Sequence, residues 1–306
     1  MKQESWGRRI WRLIYPGLLY YGICFVVQFV SVAVISFQTM MGYEASELES
    51  KMTDIMTDVM TKTLSVALDI QVLGAILTIP FLLLFYRKDR IRDRLAGRET
   101  KVVFRPPVFS YLLIPILGAA LCLAGNNLIL ISGLYTVSEE YETVANLLYG
   151  GKLVLEVVGV GVIVPIAEEL IFRGLVYRRL REYSQVGWAA FISALIFGIY
   201  HGNLVQGVYA FCLGLLLVYV YERYHSMLAP ILLHAAANIL SVAGSELDFL
   251  DRIYKSAAAF WILTILCCAL IILMVWLMER HAVSLVEEKK ENQEEEHSNH
   301  PWDNPL

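Results

Sequence analysis

The 306-residue chain has few charged residues: Asp, Glu, Lys and Arg make up 18% of it, against about 25% in a typical soluble domain. Hydrophobic residues make up 57%, and the mean hydropathy is +0.56. This composition excludes a disordered chain and a nucleic-acid-binding protein, and it argues against an ordinary soluble globule. We therefore expect a polytopic protein surrounded by membrane lipids, with no nucleic acid among its partners.

Cysteine is scarce, and two common catalytic motifs are missing. The five cysteines all lie inside apolar segments, and none has zinc-ligand spacing to histidine. This excludes a disulfide scaffold. The sequence contains neither G-x-S-x-G, which would carry a serine nucleophile, nor H-E-x-x-H, which would carry a zinc-protease helix. If the chain is a hydrolase, we expect water to be the attacking group.

Long apolar segments dominate what is present. A bilayer core about 30 Å thick needs about 20 apolar residues per helix, and eight segments approach this length. They lie at 10–36, 63–86, 108–132, 153–176, 186–202, 204–221, 227–243 and 258–278. The sequence thus predicts an all-α transmembrane bundle of about eight spans, with Gly202-Asn203 as the break between the fifth and the sixth.

The connecting segments alternate in charge. Basic residues cluster before the first span, at 87–105 and at 178–181, whereas acidic residues cluster at 44–58 and 139–142. Because Lys and Arg concentrate on the cytoplasmic side, we expect both termini to be cytoplasmic. We divide the chain into N-terminal spans (1–149), a helical core (150–243), a last span (244–278) and a disordered acidic tail (279–306).

Polar residues inside the predicted spans are the main functional signal, because ionisable groups are costly in a membrane. Three spans carry them. The residues are Glu168, Glu169 and Arg173 in the fourth span, His201 in the fifth, and His234 and Asn238 in the seventh. Each is a candidate for a functional site.

Helix geometry predicts how these side chains pair. Glu169 and Arg173 are four residues apart and should form an ion pair. Glu168 lies about 100° around the helix from Glu169, so the two acids should not face one target equally. We expect Glu168 to face His201, because both lie roughly 22 Å above the inner membrane surface at 1.5 Å per residue. Pro165 should kink the helix just before the acids.

A carboxylate, two imidazoles and an amide can together hydrolyse an amide bond. A desolvated Glu168 suits a general base, and an imidazole can orient water or bind a metal. His234 and Asn238, on one helix face, can donate to an oxyanion. The alternative from the residues alone is a polar network that joins helices, with a role in transport.

The pattern E-E-x-x-x-R, F-x-x-x-H, H-x-x-x-N resembles the CPBP intramembrane protease family over residues 150–243. This family contains type II CaaX prenyl proteases and bacteriocin-processing or self-immunity proteins. The resemblance implies an endopeptidase in a bacterial plasma membrane, with Glu168 as the base, His201, His234 and Asn238 in the site, and Glu169 and Arg173 in support.

The resemblance also implies a metalloprotease, with Glu168, His201 and His234 as ligands of Zn²⁺. A metal-free mechanism is the alternative. In it, Glu168 and His201 activate water, and His234 with Asn238 binds the oxyanion. The substrate would be a peptide or the tail of a membrane-anchored protein.

Two other functions stay open. The same fold could confer immunity by sequestering a peptide without cutting it, or it could be a proton-coupled transporter. Transporters usually contain inverted repeats, and the first half of the chain holds no second Glu-Glu pair.

Overall fold

The computed structural model describes residues 5–44, 46–97, 106–134, 153–246 and 254–299, with side chains up to Arg280. In these residues the secondary structure is helical. The basic residues 98–105, the acidic residues 139–142 and the end of the tail at 300–306 lie outside the described residues.

The helices follow the apolar segments of the sequence closely. They are α1 (Trp6–Met40), α2 (Met52–Ser65), α3 (Ala67–Leu95), α4 (Leu113–Ser132, preceded by the 3₁₀ turn Val108–Leu112), α5 (residues 153–181), α6 (Val186–Tyr200), α7 (Leu204–Tyr224), α8 (Leu228–Glu246) and α9 (Ala257–Asn299). Each of the eight predicted spans corresponds to one helix, although α3 extends beyond its span to Leu95 and α9 extends to Asn299, and α2 is an additional helix.

Among the described residues, six helical segments are long and apolar enough to cross a membrane. They are Trp6–Met40, Ala67–Leu95, Val108–Ser132, Leu204–Tyr224, Leu228–Ser245 and Ala257–Arg280. The two other predicted spans correspond to α6, which has only 15 residues, and to α5, which π-helical segments interrupt. The chain is therefore a polytopic helical membrane protein with six candidate spans.

The break predicted at Gly202-Asn203 is confirmed as a tight connection between α6 and α7. Gly202 adopts a φ of +76°, a left-handed conformation that ends α6 at little steric cost. The Asn203 side chain accepts a hydrogen bond from the Gln206 backbone N–H at 2.9 Å and caps α7. This places His201 at the end of α6, directly before the turn.

Helix α5 lies at the centre of the bundle. All eight residues of its segment Leu170–Tyr177 are buried. It contacts α1, α3, α6, α7 and α8. Beside it, α4 packs closely on α8 and on α9, where the buried Asn127 donates to the Thr264 hydroxyl at 2.7 Å. A mutation in α1, α3, α6, α7 or α8 can therefore reach α5 through direct packing.

A buried ionic cluster joins the N-terminal part of α1 to the C-terminal ends of α3 and α5. The Arg179 guanidinium donates to Asp89 and to the Tyr15 hydroxyl, each at 2.6 Å, and also to the backbone carbonyl of Arg12. Arg12 in turn donates to Glu182 at 2.7 Å. Arg179 is 1% exposed, so these contacts hold its charge in a dry environment.

Helix α9 continues beyond the membrane segment as far as Asn299. This differs from the disordered tail that the sequence predicted from residue 279. The tail is rich in Glu, Lys and Gln, which lose little side-chain entropy in a helix. A helix that already spans the membrane needs no new nucleus to extend through such residues.

Candidate active site

The two neighbouring acids lie on a short α-helical stretch of α5. This stretch, Val164–Glu169, is flanked by π-helical segments at Gly159–Ile163 and Leu170–Tyr177. Pro165 cannot donate a backbone hydrogen bond, so the ladder is interrupted beside it. The expected disturbance at Pro165 thus takes the form of π-helical turns, which in proteins frequently accompany functional sites. Glu168 is 5% exposed and Glu169 is fully buried.

Glu169 and Arg173 form the predicted ion pair. The Arg173 Nη1 donates to Glu169 Oε1 at 2.9 Å, and both side chains are completely buried. Arg173 also donates to the backbone carbonyl of Gly214 at 3.2 Å. Its guanidinium lies over the Phe197 ring, 4.4 Å from the centroid. These contacts, from α6 and α7, compensate the cost of burying the charge.

His234 lies between the two acids, which the sequence analysis did not expect. Its Nδ1 is 2.9 Å from Glu169 Oε1, and its Nε2 is 3.6 Å from Glu168 Oε2. The two acids thus approach one ring, but unequally, since Glu169 lies within hydrogen-bond distance of its nitrogen and Glu168 lies farther away. The imidazole ring spans the angular gap between them, so each carboxylate approaches a different ring nitrogen.

This contact assigns the tautomer of His234. Glu169 Oε1 already accepts from Arg173, which favours an ionised carboxylate there. An ionised carboxylate only accepts hydrogen bonds, so His234 Nδ1 carries a proton and donates it to Glu169. In the neutral ring, Nε2 is then an acceptor that lies beside Glu168.

The His201 side chain, at the end of α6, is held by a hydrogen bond to the last turn of its own helix. Its Nδ1–H donates to the Phe197 carbonyl at 2.8 Å, which leaves Nε2 as the acceptor of the neutral ring. The His201 ring packs edge-on against Phe197, and the His234 ring packs against the same phenyl group, with centroids 4.8 and 5.7 Å away. Glu168 also interacts electrostatically with His201. The structure thus gathers the acid and both imidazoles around Phe197.

Asn238 occupies the same side of α8 as His234, one turn further on. Its Nδ2 donates to the backbone carbonyl of Val160 at 3.0 Å. Val160 belongs to the first π-helical segment, where the regular hydrogen-bond ladder is broken. Asn238 therefore stabilises the distorted part of α5. Its proposed contact with an oxyanion stays a prediction.

The tentative zinc site does not match the donor geometry. Across the described ranges, no three His, Cys, Asp or Glu side chains are grouped closely enough to hold a metal ion. Each histidine holds its Nδ1 on an acceptor and keeps Nε2 available, as ligating histidines do, so the mismatch lies in the spacing of the donor groups alone. Glu168, His201 and His234 therefore do not form a ligand set here, and we derive no step through a metal.

Two residues of α1 reach the site and were missed by sequence analysis. Tyr20 and Tyr21 interact electrostatically with Glu168 and pack against Tyr200, with ring centroids 6.2 and 5.6 Å away. Tyr200 could be noticed because it precedes His201. No spacing pattern links α1 to Glu168, because they are more than 140 residues apart in the sequence and meet only in the folded bundle.

Chemically, the site combines a buried carboxylate with two acceptor nitrogens. Glu168 has a histidine nitrogen at 3.6 Å, and Glu169 balances the charge of Arg173. Such a group can hold a water molecule and take a proton from it. Apolar rings from Phe197 and Tyr200 line the same region, so competition from bulk water is low.

Comparison with known proteins points to one family. Residues 150–240 match the model of the type II CAAX prenyl endopeptidase Rce1-like family. The chain is 28% identical over 120 residues to "Putative membrane peptidase YdiL" of Bacillus subtilis (strain 168), which is 39% of this chain and 48% of that protein. It is 30% identical over 120 residues to "UPF0177 protein YaiF" of Lactococcus lactis subsp. lactis (strain IL1403), which is 39% of this chain and 52% of that protein.

The matched segment spans about half the length of each of these curated relatives. No solved structure is significantly similar to the chain. The segment that matches the family contains Glu168, Glu169, Arg173, His201, His234 and Asn238, on which the resemblance to CPBP proteases rested. Through residues 150–240, the chain is therefore similar to the Rce1-like type II CAAX prenyl endopeptidase family.

Proposed function

We propose that the chain is an intramembrane endopeptidase that hydrolyses a peptide bond with water activated by Glu168. The observation that carries this proposal is the position of Glu168. Its carboxylate is 5% exposed and lies 3.6 Å from Nε2 of a histidine whose other nitrogen is held by Glu169. A carboxylate that is shielded from bulk water and lies beside a histidine nitrogen is placed to act as a general base.

The reaction begins with a water molecule in contact with Glu168 and with the acceptor nitrogen of His201. Glu168 takes one proton while the water oxygen forms a bond to the scissile carbonyl carbon. The carbonyl oxygen becomes an oxyanion. Glu168 then passes its proton to the amide nitrogen, the C–N bond breaks, and the products are a carboxylic acid and an amine.

His234 and Asn238 are the proposed oxyanion donors. Glu169 lies 2.9 Å from His234 Nδ1 and stabilises positive charge on the ring. With that support, a doubly protonated His234, whose second proton comes from solvent and stays on the ring, can donate an Nε2–H hydrogen bond to the oxyanion. Asn238 can direct its amide to the same oxygen when the substrate is bound.

We propose that all eight apolar helices cross the membrane and that α2 lies at the outer surface. Helix α6 has 15 residues, a length of about 22 Å, so it crosses only if the bilayer is locally thin or its end opens into the cavity. Eight crossings place both termini in the cytoplasm, in agreement with the basic inner ends of α3 and α5.

The substrate we propose is a peptide or the tail of a membrane-associated protein. A prenylated CaaX tail fits the family, and a leader, bacteriocin or signalling peptide fits the site equally well. The two classes can be separated with synthetic peptides that differ only in farnesylation of the cysteine. Preference for the farnesylated peptide would assign the CaaX class.

The decisive experiment compares the wild type with Glu168→Gln. Both proteins are purified, reconstituted in vesicles and incubated with membrane proteins from cells that lack this chain, and new peptide N-termini are identified by labelling and mass spectrometry. We expect new N-termini with the wild type and about 10²- to 10⁴-fold less product with Glu168→Gln. Equal products from both proteins would refute the proposal.

A matched control is Glu222→Gln. Glu222 accepts a hydrogen bond from the Tyr177 hydroxyl at 2.8 Å but does not contact the histidines, so product formation should be retained. If cells expressing the chain resist a toxic peptide and this resistance survives Glu168→Gln, sequestration is the function instead of hydrolysis.

A further inference from the structure

Helix α1 carries two adjacent tyrosines, Tyr20 and Tyr21, where it meets the bundle. Most of its membrane segment faces outward, and only 6% of that segment is buried. Tyr20 is nevertheless 3% exposed, whereas Tyr21 is 52% and Phe25 is 69% exposed. Tyr20 is thus one of the few residues that α1 turns into the protein, and it does so at the level of Glu168.

The contact that Tyr20 makes is polar as well as aromatic. Its hydroxyl lies beside the Tyr200 hydroxyl and the Cys24 thiol. Beside it, the Tyr21 hydroxyl donates to the backbone carbonyl of Tyr200 at 3.4 Å. In a bilayer, no solvent competes for these groups, so they hold α1 to the end of α6.

Tyr200 connects this contact to the candidate active site. Its ring packs edge-on against His201, with centroids 5.4 Å apart, and against Phe172 of α5, with centroids 5.2 Å apart. Glu168 acts electrostatically on both Tyr20 and Tyr200. A displacement of Tyr200 would therefore move the histidine ring and alter the surroundings of Glu168.

We propose that Tyr20 is a positioning residue of the active site, which acts through Tyr200 on His201 and Glu168. The inference rests on the proposed function for the meaning of the site, and it extends that site to α1. The family match begins at residue 150, so it assigns no role to this helix. The first span is then part of the catalytic unit and more than a membrane anchor.

The test removes one hydroxyl group with Tyr20→Phe in the full chain, reconstituted in vesicles, with the peptide that the wild type cleaves. We expect kcat to fall about 10-fold or more with KM changed less than about twofold, because misplacement of catalytic groups slows the chemical step. The matched control is Tyr224→Phe. It removes a buried hydroxyl that donates to the Ser110 carbonyl at 2.9 Å, and it should leave kcat within about twofold.

A second readout needs no substrate. Histidines labelled with ¹³C or ¹⁵N report their ring environment by NMR in detergent micelles, and His201→Gln identifies the His201 resonance. Tyr20→Phe should shift this resonance and its titration midpoint, whereas Tyr224→Phe should leave both unchanged. If Tyr20→Phe does not fold, Tyr200→Phe removes the other hydroxyl of this pair and is measured in the same way.

The outcomes separate this inference from the proposed function. If the wild type cleaves, Glu168→Gln does not, and Tyr20→Phe retains both the wild-type kcat and the wild-type His201 resonance, then the role of Tyr20 is refuted. If the wild type cleaves nothing and Tyr20→Phe still shifts His201, the proposed hydrolysis fails while the positioning contact stands. A shift in both Tyr20→Phe and Tyr224→Phe would indicate a general packing effect and would also refute the specific role.

Discussion

His234 Nδ1 and Arg173 Nη1 bind the same carboxylate oxygen, Oε1 of Glu169, each at 2.9 Å. One buried oxygen thus links α5 to α8. Glu169 balances the charge of Arg173 and orients the histidine that faces Glu168. Stability of the bundle and geometry of the candidate site therefore depend on the same contact, and the two effects must be measured separately.

Arg173→Met should destabilise the protein strongly. The substitution leaves Glu169 as a buried charge without its cationic partner, which costs about 3–5 kcal/mol. We expect a large fall in the free energy of unfolding, measured by denaturant titration in detergent micelles. As a control, Arg280→Met removes an exposed cation over Trp276 and should change the same quantity by less than about 0.5 kcal/mol.

Asn238→Ala separates a structural from a catalytic role of the amide. Loss of the hydrogen bond to the Val160 carbonyl should cost about 1 kcal/mol of stability. If Asn238 also binds the oxyanion, kcat should fall about 10²- to 10³-fold. Unfolding and peptide cleavage are measured on the same preparation. A stability loss with nearly unchanged kcat would leave Asn238 with the structural role alone.

Gly118→Ala should disturb His234 from the neighbouring helix. A Cβ atom at Gly118 would meet the backbone carbonyl of Leu233 and approach the Ala236 Cβ to 3.1 Å. Because the obstacle is backbone, α4 and α8 must separate, at a cost of about 1–3 kcal/mol. We expect reduced thermal stability and reduced cleavage. Gly22→Ala is the control, since nothing lies within 4 Å of its added Cβ, and both properties should be retained.

Arg179→Met should show that the buried ionic cluster around Arg179 holds α1 against α5. It removes the guanidinium at 2.6 Å from Asp89, which keeps Arg12 and Arg92 within 4.0 Å, so we expect a loss of about 1.5–3 kcal/mol in the unfolding free energy. Lys62→Met is a contrasting control. Lys62 pairs with Asp58 at the exposed surface, with half of its side chain exposed, so the change should be at most about 1 kcal/mol. Equal losses in both variants would contradict the role of the cluster.

Reporter fusions test the proposed membrane orientation. Alkaline phosphatase, which is active only outside the cytoplasm, should be inactive when fused before Trp6 or after Asn299. It should be active when inserted at Gly42, in the turn between α1 and α2. This follows from the placement of basic residues on the cytoplasmic side. Activity at either terminus would overturn the eight-crossing arrangement.

The location of the helices could be predicted from the sequence because apolar length is a local property. Each predicted span corresponds to one helix, and the pairing of Glu169 with Arg173 follows from their four-residue spacing alone. The tail is helical as far as Asn299, whereas the sequence predicted disorder from residue 279. Composition alone does not distinguish a solvated helix from a disordered segment. The resemblance to the family could also be recognised from the sequence, because its motifs lie in spans that follow one another closely.

The sequence by itself determined a polytopic helical chain with its acids, histidines and amide on identifiable helices. Only the tertiary structure decided that one ring, His234, lies between both acids, and that Tyr20 reaches Tyr200 from α1. The physical reason is that the first depends on residues close together in the sequence, and the second on residues far apart in it. Spacing along a helix determines which side chains share a face, whereas contacts between helices depend on rotation, tilt and packing of whole helices, and these are decided by the entire bundle.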